Sequence, residues 1–430
     1  MNTKIKVLSL KANNIVIKMK YIIALLITLL VGCTSNHMFR PDTKACIKSK
    51  ENNCAKSCII SSDCKKCPYS LSFVEIDDQG HFQSRSQLNK VIEFIEAQEN
   101  QDIVVFIHGW HSNAQPDNKS VKNFEDMLIK ISQRYDKKLK RKINGIFVGW
   151  RGESITVSGI NMATFWDRKD VSIEVGSGSL IELLVRLEII AKNNNKCRLV
   201  SIGHSFGASV LFSATKNILY QNFLNSVESN EICGFGDLVI LINPAFEAIP
   251  YAPFHDITEE YARKSEIFNN PMKPKLIILT SESDWATKYA FRFGRFCSSM
   301  LFEKHNEIER KDRKCDNQKF DQFSMNINAI GHYKPFQTHT LQSVNPNQLK
   351  SCNAMPSKWK DMIVYDNTPH SKEGWSILFP ASNLKLRHIK NSPAFSPYWI
   401  VAVDNNVIPG HNEIYQLNLN CFIEELILAR

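Results

Sequence analysis

At 430 residues, 43% of them hydrophobic, the chain holds enough apolar material for one large core or two modest ones. Charged residues at 22% and aromatics at 10% exclude a chain too polar to fold. The formal charge of +10 comes from lysines and arginines spread along the chain, which suits an anionic surface. With no zinc-knuckle spacing and no basic helix, nucleic acid is not an expected partner.

The N-terminus reads as an address. Met19-Lys20 precedes an apolar run from Tyr21 to Val31, followed by Gly32 and Cys33. A basic start, a short apolar stretch and a small residue before a cut are the parts of a secretory signal. The run, at about a dozen residues, is short for a membrane-spanning anchor, the alternative reading. Leu30-Val31-Gly32-Cys33 resembles the bacterial lipobox. That resemblance implies that residues 1–32 are removed and that Cys33 is acylated. Several acyl chains on one residue suffice for stable anchoring. Thr34 does not resemble an inner-membrane retention signal, so the expected location is the cell envelope, at the outer membrane. Residues 1–18 are polar and basic, an overlong leader or an upstream start before Met19, and are set aside from fold reasoning.

Setting Cys33 apart from the twelve cysteines leaves an odd number, so at least one is free or pairs between chains. Cys46, Cys54, Cys58, Cys64 and Cys67 cluster in a polar stretch with little periodicity, read as a disulfide-stapled stalk over 33–68. A zinc site from Cys54, Cys58, Cys64 and Cys67 is the rival reading. Its spacings are loose and no paired histidines accompany them, so no metal is expected.

From Tyr69 to the end the chain alternates apolar runs with amphipathic stretches. This rhythm predicts an α/β domain, a mostly parallel sheet with helices on both faces. Residues 73–77, with Gly80 soon after, suggest an antiparallel edge hairpin. Runs at 103–107, 144–149, 198–202, 238–242, 276–279 and 399–403 are apolar on both faces, as buried parallel strands are. Helical spacing covers 121–135 and 179–191, with Glu182, Arg186 and Lys192 on the wet side of the second, and a last helix is expected within 412–428. The long polar stretch at about 291–397, with Cys297, Cys315 and Cys352, breaks the rhythm. It is read as an insertion before the last strand, lying over the C-terminal edge of the sheet as a cap or specificity loops.

The sharpest motif is Gly203-His204-Ser205-Phe206-Gly207, between the strand ending at Ile202 and the apolar stretch from Ala208. A serine hydroxyl is a weak nucleophile until it is exposed on a strained turn beside a base. A strand–turn–helix elbow does this, and it needs Gly203 and Gly207 because a Cβ at either would collide with the turn. The helix that follows aims free N–H groups at a developing oxyanion. A second motif, Ile107-His108-Gly109-Trp110, closes the strand before it.

These motifs resemble the α/β-hydrolase superfamily, and within it a bacterial esterase- or lipase-like group. That group is marked by a His-Gly-Trp loop, a Gly-His-Ser-Phe-Gly elbow and a Gly-His-Asn loop. Val148-Gly-Trp-Arg-Gly152 and Phe165-Trp-Asp-Arg168 fit it too. The resemblance implies the α/β-hydrolase fold, a Ser–acid–His order, and an oxyanion hole from the backbone N–H groups of Trp110 and Phe206. Ser205 is the expected nucleophile, and His108 an organiser of the loop rather than a base. Asp284, just past the strand ending at Leu279, is the favoured acid, with Glu282 and Glu247 as rivals. His411, on the loop after the last strand, is the favoured base over His332 and His339, which lie in the insertion. The implied activity is hydrolysis of small-molecule or lipid esters through an acyl-enzyme, with no cofactor. Thioesterase, peptidase and acyltransferase activities on the same triad are alternatives, as is a non-catalytic surface lipoprotein.

Overall fold

The computed structural model describes residues 17–21, 37–40, 69–138, 141–153, 165–194, 197–229, 233–264, 272–311, 317–345, 352, 359–365, 374–390 and 392–428. Cys33 and the Cys46–Cys67 cluster lie outside the described residues.

The first six strands are β1 (Tyr69–Glu75), β2 (Gln101–Ile107), β3 (Lys142–Gly149), β4 (Arg198–His204), β5 (Leu238–Ile242) and β6 (Leu276–Ser281). Then come β7 (Glu307–Lys311), β8 (Asn317–Asp321), β9 (His339–Ser343), β10 (Ile363–Tyr365), β11 (Trp375–Phe379), β12 (Leu384–His388) and β13 (Tyr398–Val403). The helices used below are α1 (Arg85–Glu96), α2 (Lys119–Lys138), α3 (Phe165–Ser177), α4 (Leu180–Asn193) and α5 (Phe206–Ser229). They continue with α6 (Ala252–Lys264), α7 (Phe291–Phe302), α8 (Gln322–Ile327) and α9 (Leu417–Leu428). Among the described residues eleven strands form one sheet in the order β1-β3-β2-β4-β5-β6-β13-β9-β12-β11-β10, while β7 and β8 make a separate hairpin. From β1 to β9 every neighbouring pair is parallel. The chain has the α/β-hydrolase fold, as expected.

The central strands form because Val, Ile, Leu and Phe on both faces find cover. All seven residues of β2 and all five of β5 are buried. In α4 the core face is Leu180, Leu183, Leu184, Leu187 and Ile190, the stripe of a helix packed on one side. The first turns of α5 are buried on every side, as befits a helix behind the middle of the sheet. From β2 the chain steps outward to β3, then returns past β2 to β4 and proceeds the other way. With right-handed crossovers this reversal puts α2 opposite α3 to α5 and opens a crevice at the carboxyl ends of β2 and β4.

Two expectations change. Residues 73–77 do not form an antiparallel edge strand: as far as Glu75 they belong to β1, which runs parallel to β3 in full register, and the antiparallel pairing expected there is limited to the bridge between Ile76 and Phe82. The 291–397 segment is not only a covering insertion. Its β9 pairs parallel with β13, and β12, β11 and β10 follow antiparallel, so it widens the sheet sideways. The alternating burial of β12 explains this: Leu384, Leu386 and His388 face the core while Lys385 and Arg387 face out. A disulfide joins Cys352 to Cys421 of α9.

Candidate active site

β4 ends at His204 and α5 begins at Phe206, so Ser205 alone makes the turn, with φ of 55°. That left-handed conformation is costly for a residue with a Cβ and persists only where the surroundings impose it. Here the Ser205 N–H donates to the Ile242 carbonyl at 3.0 Å, and the Ala245 N–H donates to the Ser205 carbonyl at 3.2 Å. The crossing with β2 is equally tight. A Cβ on Gly207 would come within 2.2 Å of the Ile107 carbonyl oxygen, and one on Gly203 within 2.5 Å of that of Gly207. A Cβ on Gly109 would meet the Ser205 Cβ at 2.8 Å.

The structure brings Ser205, His411 and Asp284 into one chain of hydrogen bonds. Ser205 Oγ lies 2.8 Å from His411 Nε2, and His411 Nδ1 lies 2.8 Å from Asp284 Oδ2. Asp284 is fully buried just past β6, and His411 sits on the loop after β13, the neighbouring strand. Burial alone would raise the Asp284 pKa, but hydrogen bonds from His411 and from Thr287 outweigh it and hold it below the ordinary 3.8. Thr287 donates its N–H to Oδ1 at 3.1 Å and its hydroxyl to Oδ2 at 2.5 Å. His332 Nε2 lies 3.0 Å behind that hydroxyl. Burial pushes the His332 pKa down to about 4, so the ring is neutral at pH 7 and can donate to Thr287.

The rival candidates have other occupations. Glu247 is buried between Lys169 Nζ at 2.8 Å and Arg295 Nε at 2.7 Å. Glu282 is exposed, with its N–H donating to Val403. His339 is buried in β9 against Trp375, His388 and Trp399.

The loop after β2 is held rigidly. The Trp150 N–H donates to His108 Nε2 at 3.1 Å, which leaves the proton on Nδ1 to donate to the Gly109 carbonyl at 2.9 Å. The Trp150 indole donates to the His108 carbonyl at 2.9 Å and stacks on its ring. Full burial lowers the His108 pKa to about 4. Asp78 ties Arg151 and Arg168 together beside this loop, and Arg168 Nη1 donates to the Arg151 carbonyl at 3.0 Å. The Gly-Trp-Arg-Gly and Phe-Trp-Asp-Arg motifs thus meet at one support. Neither the Trp110 nor the Phe206 backbone N–H finds an acceptor among the described residues. An aromatic wall leads away from Ser205: Phe206 against Phe165 at 4.8 Å, and Phe165 edge-on to Trp110 and Trp166.

Sequence reasoning missed His204, Asn243 and Thr287. His204 Nε2 bonds the His411 carbonyl at 2.8 Å, and Asn243 Nδ2 donates to the carbonyls of Gly410 and His411 at 3.1 and 2.9 Å. Asn243 sits at φ 45° just past β5, and an Asn before a Pro at a strand end was its available signal. A cavity of about 330 Å³ lies elsewhere, at the amino ends of β9 and β13, between Tyr251, His255, Thr338 and Tyr398.

The family described as alpha/beta hydrolase of unknown function (DUF900) matches residues 83–295, which hold the β2 loop, the elbow and Asp284 but not His411. No curated protein matches the chain. Similar solved structures include TT1662 from Thermus thermophilus, at 13% identity and a TM-score of 0.24, covering 45% of this chain and 71% of that one. Another is phospholipase PlaB from Legionella pneumophila in complex with thio-NAD, at 14% identity and a TM-score of 0.22, covering 44% and 42%.

Proposed function

We propose that this chain, an α/β-hydrolase by its sheet and by its family match, is a serine hydrolase that cleaves carboxylic esters through an acyl-enzyme. The observation that carries the reading is His411, with one ring nitrogen 2.8 Å from the Ser205 hydroxyl and the other 2.8 Å from the Asp284 carboxylate. His411 takes the hydroxyl proton as Ser205 Oγ attacks the ester carbonyl carbon, and Asp284 stabilises the resulting imidazolium. The backbone N–H groups of Trp110 and Phe206 receive the oxyanion. The imidazolium protonates the leaving alkoxide, and water activated by the same ring then cleaves the acyl-serine bond.

The aromatic wall of Trp110, Phe165, Trp166 and Phe206 supports an acyl-chain or aryl-ester substrate. Rates that are flat across acyl-chain length would remove the acyl-chain part of this reading. The same proposal takes Cys33 as an acylated envelope anchor, supported by Leu30-Val31-Gly32-Cys33. Metabolic labelling with palmitate should mark the intact protein and not Cys33→Ser.

A fluorophosphonate probe tests the chemistry directly. Labelling of the intact protein that vanishes in Ser205→Ala supports an activated serine. Absence of labelling in folded protein overturns it.

A further inference from the structure

Asp284 is followed at once by a helical run, a single π-helical turn over Ala286–Ala290 leading into α7. Its two sides differ sharply. The inner side belongs to the site: Thr287 holds Asp284, Phe291 is fully buried, and the Trp166 ring lies so close to Gly294 that a Cβ there would meet it at 2.0 Å. Through Trp166 and Phe165 this side joins the aromatic wall at Phe206. On the outer side, Trp285, Tyr289, Phe293, Phe296 and Met300 follow at intervals of four, four, three and four residues. They are 43–77% exposed. That spacing makes one continuous apolar stripe along the helix.

The charges beside the stripe are unequal. Lys288 and Arg292 precede Tyr289 and Phe293, and Lys304 follows the helix. The acids of the same stretch are mostly occupied: Asp284 is buried against His411, and Glu303 accepts from Arg295 at 2.8 Å, leaving Glu282 exposed. An exposed apolar stripe with Trp and Tyr, flanked by cations that pair with no carboxylate among the described residues, has the make-up of a helix that lies in a bilayer interface and favours anionic lipid.

We propose that the outer face of this helix, Trp285 to Met300, docks on an anionic phospholipid surface and so presents the Ser205 crevice to the bilayer. The docking does not depend on the hydrolase reading and is measured on Ser205→Ala, so that failure of one leaves the other standing. The full-length protein carries p-benzoylphenylalanine at position 293, or in a second preparation at 300, and is irradiated with vesicles of phosphatidylglycerol and phosphatidylethanolamine. Position 378, an exposed apolar position on β11 at 40% exposure, serves as the comparison, and circular dichroism selects folded preparations. The expected result is at least about tenfold more lipid adduct from 293 or 300 than from 378, falling at least about tenfold on pure phosphatidylcholine. Equal adduct at all positions, indifference to headgroup charge, cross-linking to a second protein copy, or no lipid adduct would each overturn the proposal.

Discussion

His204 bonds the backbone carbonyl of His411 at 2.8 Å, so the residue before the proposed nucleophile holds the loop of the proposed base. Burial, reinforced by the neighbouring His411, lowers the His204 pKa to about 3, and the neutral ring gives its Nε2 proton to that carbonyl. Asn243 grips the same carbonyl from just past β5. The loop that carries the His411 imidazole is thus held from behind by two side chains, while His411 itself reaches Ser205 Oγ.

His204→Ala is expected to lower kcat on a soluble ester about 10- to 100-fold with little change in KM, because misplacing a base acts on the chemical step. His204→Gln, whose side-chain amide can still donate, should recover much of the loss. Steady-state kinetics of both variants check this. If both match the unaltered protein, the His204 bond does not position the base.

Asp284→Asn should be far more damaging. An amide in place of the carboxylate cannot stabilise the imidazolium, and it favours the wrong tautomer of His411. The expected fall in kcat is roughly 10⁴-fold. Burst and steady-state measurements with a chromogenic ester give the number. A loss below about tenfold would move the acid role to another carboxylate.

Much of this site was readable because its parts sit at the ends of strongly apolar strands. The runs ending at Ile107, Ile202, Leu279 and Val403 locate His108, Ser205, Asp284 and His411 on loops at one edge, and the topology then brings those loops together. What escaped notice depends on contacts between a side chain and a distant backbone group. Nothing local marks His204 as the partner of a carbonyl 207 residues away. The widened sheet was hidden for another reason. Strands β9 to β12 span only three to five residues, and in β9 and β12 buried residues alternate with more exposed polar ones. Such short alternating segments carry little periodic signal, whereas pairing with β13 supplies the order that local propensity does not.

Acid should weaken the fold before it protonates the proposed triad acid. His108, His204 and His332 are neutral in the folded protein, with pKa values lowered from 6.5 to about 4, 3 and 4 by burial. Between pH 6.5 and 4 the unfolded chain binds protons that the folded chain refuses. Stability therefore is fully present above 6.5 and declines as pH falls, by up to about 1.4 kcal/mol per pH unit for each histidine. Asp284 is shifted in the same direction for a different reason, hydrogen bonds to its charged form: its pKa lies below 3.8, so its contribution persists through this window and is lost only at lower pH. Urea midpoints should be clearly lower at pH 5 than at pH 7. A midpoint that is unchanged or higher at pH 5 would mean that these rings are not held neutral.

The Cys352–Cys421 disulfide closes a separation of 69 residues, from the polar stretch before β10 to the buried face of α9. Helix α9 is also tied to the β11–β12 turn, where Glu425 accepts from the N–H groups of Ala381 and Ser382, each at 2.8 Å. Residues 353–420 carry β10 to β13 and the His411 loop, so the bond restricts the unfolded chain over the whole segment that completes the sheet and the proposed base. Loop-closure entropy puts the stabilisation near 4 kcal/mol for a ring of this size, and measured values typically run from about 2 to 4 kcal/mol. Cys352→Ser should lose about that much in urea unfolding at constant pH. Peptide mapping without reductant should recover the fragments containing Cys352 and Cys421 as one linked pair. A variant as stable as the unaltered protein, or fragments that separate without reductant, would show that this bond does not secure the C-terminal half of the sheet.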